Sequence, residues 1–290
     1  MALFGQLILD GMSMGLVYVI LACGLVLIMS VSRIFFIAYG DFYLIGAYVL
    51  WGSMVLLHLP FIVGMLFAIL ATGILGVLSY SLIFEHLRKR ESVFLYNMLA
   101  ATGLMLVLGQ GSLLVVGTTP KTAPTVFPGI LNFAGMRMPL AKLVLVGLAV
   151  FITLTMFFIY ERTKLGRAMR SVAHNPEAAT LQGVNGNMIS MAVLGFSGAL
   201  AGFAGAIMAP VYVIYPGMGS DIIFGVMLVV MLGGMGSLIG AVFGGLVMGL
   251  TMSFGTFYLG AWAQIALFVV IGVIMYFRPG GLLGGTTLDI

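Results

Sequence analysis

Charge is what this chain is short of. Of its 290 residues only 7% are charged, against 62% that are hydrophobic, whereas about a quarter of a water-soluble domain is charged. Water cannot be the solvent for most of such a surface, which excludes an ordinary soluble enzyme. Cysteine is nearly absent too. The single Cys23 lies inside an apolar run, so an intrachain disulfide is impossible and a packing role is expected. The three histidines, His58, His86 and His174, have no metal-ligand spacing, and the 22 methionines are scattered rather than clustered. Lys89, Lys121, Lys142 and Lys164 follow Arg, Pro, Ala and Thr, so no Gly-Lys of a phosphate-binding loop exists. With no pairing of nucleophile and base, the chain reads as a non-enzyme that binds no cofactor of its own.

Glycine, by contrast, is plentiful. The 41 glycines suit a bilayer, where small residues let helix backbones approach and neighbours re-satisfy broken helices. Apolar runs of about 20 residues, the length that crosses about 30 Å of hydrocarbon, recur throughout. They cover Gly5 to Met29, Phe42 to Leu57, Phe61 to Phe84, Val93 to Val116, Leu140 to Tyr160, Met188 to Ile214 and Phe257 to Phe277. A further run, Ile222 to Ser253, is too long for one span and is interrupted at Gly233-Gly234-Met235-Gly236-Ser237. It reads as two pieces, one of them able to enter and leave on the same side. The expected fold is all-α: a polytopic membrane helix bundle over residues 1–290, with eight or nine membrane segments, one broken or re-entrant.

Loops kept in the cytoplasm carry the excess of Lys and Arg. Alternating sides groups nine basic residues, Arg33, Arg88, Lys89, Arg90, Arg162, Lys164, Arg167, Arg170 and Arg278, against Lys121, Arg137 and Lys142. The bias puts the N-terminus outside, makes 161–187 a cytoplasmic loop and 117–139 an external one, and accounts for the net charge of +4 without a nucleic-acid partner. The external loop holds Pro120, Pro124, Pro128 and Pro139. It either receives a solute-delivering protein or merely joins two spans.

Loop 161–187 is a polar island, and its middle is specified locally. Asn175 is a helix N-cap, Pro176 fits the first helical position, Glu177 suits the positive end of the helix dipole, and Gly183 can terminate in the left-handed region. A short helix from Pro176 to Gln182 follows. Ala178, Ala179 and Leu181 give it a small apolar surface, with Arg162, Lys164, Arg167 and Arg170 just upstream. Such a helix either inserts into a groove of another protein or is a capped turn in a positively charged anchor.

Glu177-Ala178-Ala179, three residues, then Gly183 resembles the E-A-A-x-x-x-G coupling signature of ATP-binding-cassette importer permeases. The stretch from Thr163 to Arg170, with Asn175, Ala178 and Gly183-Val184-Asn185, resembles the branched-chain amino acid permease family. So do Tyr39-Gly40-Asp41-Phe42-Tyr43-Leu44-Ile45-Gly46-Ala47-Tyr48 and Gly233-Gly234-Met235-Gly236-Ser237-Leu238-Ile239-Gly240-Ala241. The hydrophobic continuation ending in Leu-Pro, which follows the coupling glycine in many other such permeases, is absent. The resemblance implies a permease subunit of the bacterial inner membrane, paired with a second permease, commonly a non-identical homologue. Two cytoplasmic ATPases would hydrolyse the ATP, and a periplasmic binding protein would deliver branched-chain amino acids. Arg167, Arg170, Asn175, Pro176, Glu177, Ala178, Ala179 and Gly183 would form the coupling contact. Related permeases carry urea, short amides or other small organic solutes, and an autonomous secondary transporter or channel is the alternative from another class.

Gly195, Gly198, Gly202, Gly205 and Ala209 recur every three or four residues, and Gly236, Gly240 and Gly244 repeat the spacing. Together with Gly233 and Gly234, these glycines serve either close packing or a translocation path lined by backbone. Asp41 and Asp221 are the ionisable residues to explain inside the membrane. Each follows a glycine or serine and precedes an apolar run, so each sits at a helix start. That start is either interfacial or, in a broken helix, part of a substrate site in which the Asp receives an amino group.

Overall fold

A computed structural model describes residues 2–87, 93–124, 126, 129–133, 136–277 and 281. Arg88, Lys89, Arg90, Pro128 and Arg278 of the sequence argument lie outside the described residues.

The membrane runs become helices: α1 (Ala2–Leu27), α2 (Tyr39–Val55), α3 (Phe61–Ser79), α5 (Val93–Val116), α6 (Leu140–Arg162), α9 (Gly186–Met208), α10 (Met218–Gly233), α11 (Leu238–Leu259) and α12 (Ala263–Phe277). A single turn, α4 (Glu85–Leu87), extends α3 through a π-helical segment, Tyr80–Phe84, and a second π segment, Ile28–Ser32, extends α1. The polar island forms α7 (Lys164–His174) and α8 (Pro176–Leu181).

Among the described residues six helices are long and apolar enough to cross a membrane: those over Phe4–Ser32, Phe61–Leu87, Leu95–Val116, Leu140–Arg162, Gly186–Met208 and Leu238–Leu259. Of the expected eight or nine segments, length and composition support these six among the described residues, and three further apolar runs make shorter helices. α2 has 17 residues, α10 16 and α12 15, so at 1.5 Å per residue each spans only about 22–26 Å. The break expected at Gly233–Ser237 is present. α10 ends at Gly233, Gly234 and Gly236 take positive φ (97° and 99°), and the Ser237 hydroxyl caps α11 by accepting from the Gly240 N–H at 3.0 Å. The loop before α6 departs from the all-helical expectation with a small antiparallel hairpin, β1 (Ile130–Phe133) and β2 (Met136–Pro139), in register Ile130↔Pro139.

The chain divides into two compact units. One comprises Met1–Val26, Thr125–Phe151 and Phe224–Ile290, the other Leu27–Pro124 and Ile152–Ile223. In the first, α1 lies against α11 at backbone range: a Cβ on Gly11 would come within 3.0 Å of the Leu250 Cα. The Ser253 hydroxyl donates to the Leu7 carbonyl at 2.7 Å, and the Lys142 ammonium meets Asp10 at 2.6 Å. Cys23 is buried with its thiol 3.9 Å from the Leu238 carbonyl oxygen.

In the second unit α2, α3 and α9 pack together. α3 shows the rule most plainly. Gly64, Ala68, Thr72 and Gly76, one residue in four, are buried. Ile62, Leu66, Leu70, Ile74 and Leu78, on the same four-residue repeat, are exposed at 46% or more. With lipid rather than water outside, large apolar side chains gain nothing by turning inward, and small ones turn inward because they permit close van der Waals contact between helices. The Thr72 hydroxyl is satisfied within its own helix, donating to the Ala68 carbonyl at 2.7 Å.

Candidate functional site

The polar island builds itself from side-chain caps. The Thr163 hydroxyl accepts from the Gly166 N–H at 3.1 Å and starts α7. Gly166 packs on the end of α6, where a Cβ would collide with the Tyr160 carbonyl. Met169 and Val172 are the buried face of α7 (3% and 1% exposed), while Leu165 and Arg167 face out. Asn175 ends α7 and begins α8 in one residue. Its backbone N–H donates to the Ser171 carbonyl at 3.1 Å, and its side-chain oxygen accepts from the N–H groups of Glu177 and Ala178, both at 3.0 Å. Pro176 holds the first helical position, where its missing N–H costs nothing.

The far end of α8 is closed by backbone. Gly183 has φ +82°, its N–H donates to the Thr180 carbonyl at 3.0 Å, and the Val184 N–H donates to the Ala179 carbonyl at 3.0 Å. This paired pattern needs a left-handed residue, which glycine supplies without strain. Asn185 then caps α9, accepting from Asn187 N–H at 3.0 Å and Met188 N–H at 3.3 Å. The helix expected over Pro176–Gln182 is thus observed over Pro176–Leu181, with Gln182 as its C-cap.

Ala179 is the inward anchor of α8 at 2% exposure, and Leu181 projects outward at 91%. Glu177 is exposed and Ala178 half-buried. Beside them Thr180, Gly183, Val184, Asn185, Gly186 and Asn187 line an open depression. Arg170 differs from Arg167. Its guanidinium donates to the Tyr160 and Glu161 carbonyls, pairs with the Glu161 carboxylate at 3.3 Å and stacks 5.1 Å from the Tyr160 ring centre. Arg170 therefore ties α7 to the C-terminal end of α6, where cations are favoured. Thr163 and Asn185 entered the sequence reading only through the family resemblance and not as caps. Each could have been found by the rule that marks Asn175, a short polar side chain just before a helix.

Among the remaining residues, Gly198 and Gly202 are buried against α3, where a Cβ on Gly198 would lie 2.6 Å from the Thr72 carbonyl oxygen. Gly233 faces Gly240 across the α10–α11 break. Asp221 stands in the first turn of α10 and Asp41 in the first turn of α2. Asp221 is exposed and accepts from the Tyr215 hydroxyl at 2.6 Å. Asp41 is only 3% exposed and so is buried in protein.

Six helices among the described residues long and apolar enough to cross a membrane, with an exposed, doubly capped helix between two of them, mark a multi-pass membrane protein. The chain belongs to the family of branched-chain amino acid transport system permease components, whose model matches residues 7–278. It is 27% identical to the high-affinity branched-chain amino acid transport system permease protein BraD of Pseudomonas aeruginosa, over 96% of this chain and 95% of that protein. It is also 27% identical to the corresponding permease protein LivH of Escherichia coli, over 97% and 96% of the two chains. A probable branched-chain amino acid transport permease of Methanocaldococcus jannaschii is 26% identical over 92% and 88%. No solved structure matches the chain.

Proposed function

We propose that this chain is the membrane-spanning subunit of an ATP-binding-cassette importer for branched-chain amino acids, working in the inner membrane beside a second permease. Two cytoplasmic ATPases hydrolyse the ATP, and a periplasmic binding protein delivers the cargo to the side bearing loop 117–139. The observation that carries the reading is α8: six residues, capped at both ends by their own chain, offering Leu181 at 91% exposure. A leucine so exposed on a polar loop is left uncovered by the described residues and suits a pocket in another protein. The functions in the relatives' names support the cargo.

In this mechanism the residues have distinct tasks. Asn175 and Gly183 keep α8 formed without help from the partner, so docking costs little ordering entropy. Ala179 seats α8 on its own unit and Leu181, Glu177 and Arg167 meet the ATPase. Because Asn175 is shared by α7 and α8, and Arg170 ties α7 to α6, a pull on α8 is passed to a span through hydrogen bonds rather than slack chain. Closure of the ATPases then shifts the spans between outward and inward access.

The test is uptake of labelled leucine by cells carrying the whole transport operon, comparing wild type with Gly183→Arg and Glu177→Lys at equal membrane abundance. Loss of uptake together with weakened co-purification of the ATPases is expected. Unchanged uptake in both variants refutes the coupling role of α8. If wild type moves urea or a short amide and no leucine, the cargo is wrong and the permease reading stands.

A further inference from the structure

Asp41 combines features that the packing of α2 does not explain. It is 3% exposed, and its Oδ2 has no hydrogen-bond partner among the described residues. The ion pairs among those residues, Lys142 with Asp10 and Arg170 with Glu161, leave it without a cation. No cluster of His, Cys, Asp and Glu that could hold a metal ion occurs among them either. A buried carboxylate with free acceptor positions is a costly arrangement, kept where something else completes it. The Tyr48 hydroxyl, likewise buried and without a partner among the described residues, lies seven residues further along α2 and so on the same helical face.

The carboxylate also stands where two helix N-termini meet. A Cβ on Gly219, at the start of α10, would lie 2.8 Å from the Asp41 Oδ1 and 2.9 Å from the Gly40 carbonyl oxygen. Only glycine at 40 and 219 allows that approach. The N-terminal ends of α2 and α10, where the helix dipole is positive, thus both lie at this carboxylate. Ile223 borders the same spot, 2.9 Å from a Cβ on Gly40, and a Cβ on Gly109 of α5 would lie 3.5 Å from Oδ1. α5 is the span with the smallest buried share, 6%. One helix, with a glycine at the level of Asp41, therefore separates the carboxylate from the outer face of the chain.

We propose that Asp41 binds the α-ammonium group of the transported amino acid, in a site at the meeting of α2, α5 and α10 that this structure holds closed. The inference rests on the amino acid cargo of the preceding section. An ammonium supplies three N–H donors to a carboxylate whose Oδ2 has no partner among the described residues, and the apolar border at Ile223 suits an aliphatic side chain. Asp221, exposed and already engaged by Tyr215, has no such vacancy.

The experiment uses the complete transporter, with its ATPases and binding protein, in liposomes, and measures leucine moved per ATP hydrolysed for wild type, Asp41→Asn and Asp41→Glu. Asp41→Asn keeps the shape and removes the charge. It is expected to lower leucine moved per ATP at least tenfold, with Asp41→Glu between it and wild type. A structural role would lower uptake and hydrolysis together and leave the ratio unchanged, which overturns the proposal, as does wild-type uptake by Asp41→Asn. Should Asp41→Asn fail to assemble, Gly109→Val tests the same spot with the carboxylate intact. A several-fold higher KM for leucine supports the site and an unchanged KM overturns it. Transport of another solute by wild type, with no leucine moved, would instead fail the cargo reading on which the inference stands.

Discussion

The packed helices α2, α3 and α9 and the loop from Thr163 to Asn187 are specified by opposite means. In the helices, structure is set by side chains that are missing. Gly46 meets Gly202 backbone to backbone, Gly205 sits against the Tyr43 carbonyl, and the larger residues of α3 point outward. In the loop, structure is set by side chains that are present, each replacing a backbone partner: Thr163 for α7, Asn175 for α8, Asn185 for α9. The first device depends on distant parts of the chain coming together. The second is complete within a few residues. Substitutions in the helices should therefore act on whether the protein exists in the membrane, and substitutions in the loop on what it does there.

The hardest break is Gly205→Leu. Its side chain has to enter the space filled by the Tyr43 carbonyl and the Ala47 N–H, and backbone cannot yield as a flexible side chain can. Overpacking of a tight interior costs about 1–3 kcal/mol even where neighbours move, so a larger loss is expected here. The amount of monodisperse protein extracted from membranes in mild detergent should fall several-fold. Normal yield and thermal stability would mean that α2 and α9 are not held at this distance.

Asn175→Ala tests the other device. It removes the acceptor of two N–H groups and should destabilise α8 locally by about 1 kcal/mol. Extraction yield should stay near wild type, while leucine uptake falls several-fold. If yield falls as steeply as for Gly205→Leu, the loop is part of the folding core and the contrast fails. Leu181→Ser should be milder for the fold, within about 0.5 kcal/mol of wild type, since an exposed side chain has little packing to lose. Its expected effect is on retention of the ATPases during purification, and full retention would remove Leu181 from the docking surface.

How much was legible in the sequence follows from the same contrast. The limits of α8, its Asn cap and its terminating Gly183 could be read residue by residue, because caps are local chemistry. The break at Gly233–Ser237 was legible for that reason as well. The crossing count was not. Apolar composition marks α2 as membrane-buried, yet eleven of its 17 residues are enclosed by protein, and a helix covered by its neighbours need not be long enough to reach both faces of the bilayer. The burial of Asp41 could not be foreseen either, since it depends on where the start of α10, nearly 180 residues further on, is brought to lie. Arg170 illustrates a signal open to two readings: among four basic residues upstream of α8, only contacts with Tyr160 and Glu161 distinguish a tie between helices from a free docking charge.

The smallest expected effect separates glycines that matter from those that merely occur. Gly103, on α5, has no atom within 4 Å of where a Cβ would stand, in contrast to Gly205 on α9. Both are helical glycines in apolar spans, and sequence spacing alone does not rank them. Gly103→Ala adds a methyl group to an open face and replaces the residue with the greatest backbone freedom by the best helix former, a change that favours the helix by up to about 1 kcal/mol. Thermal stability of the isolated chain in detergent should therefore match or slightly exceed wild type, and extraction yield should be unchanged. A loss of yield comparable to that of Gly205→Leu would show that glycine content itself, rather than backbone contact at particular glycines, sets the fold. Unchanged stability of the isolated chain combined with poorer assembly of the whole transporter would place a neighbouring subunit on this face of α5, and the division between helices that pack and loops that dock would then have to admit a span that docks.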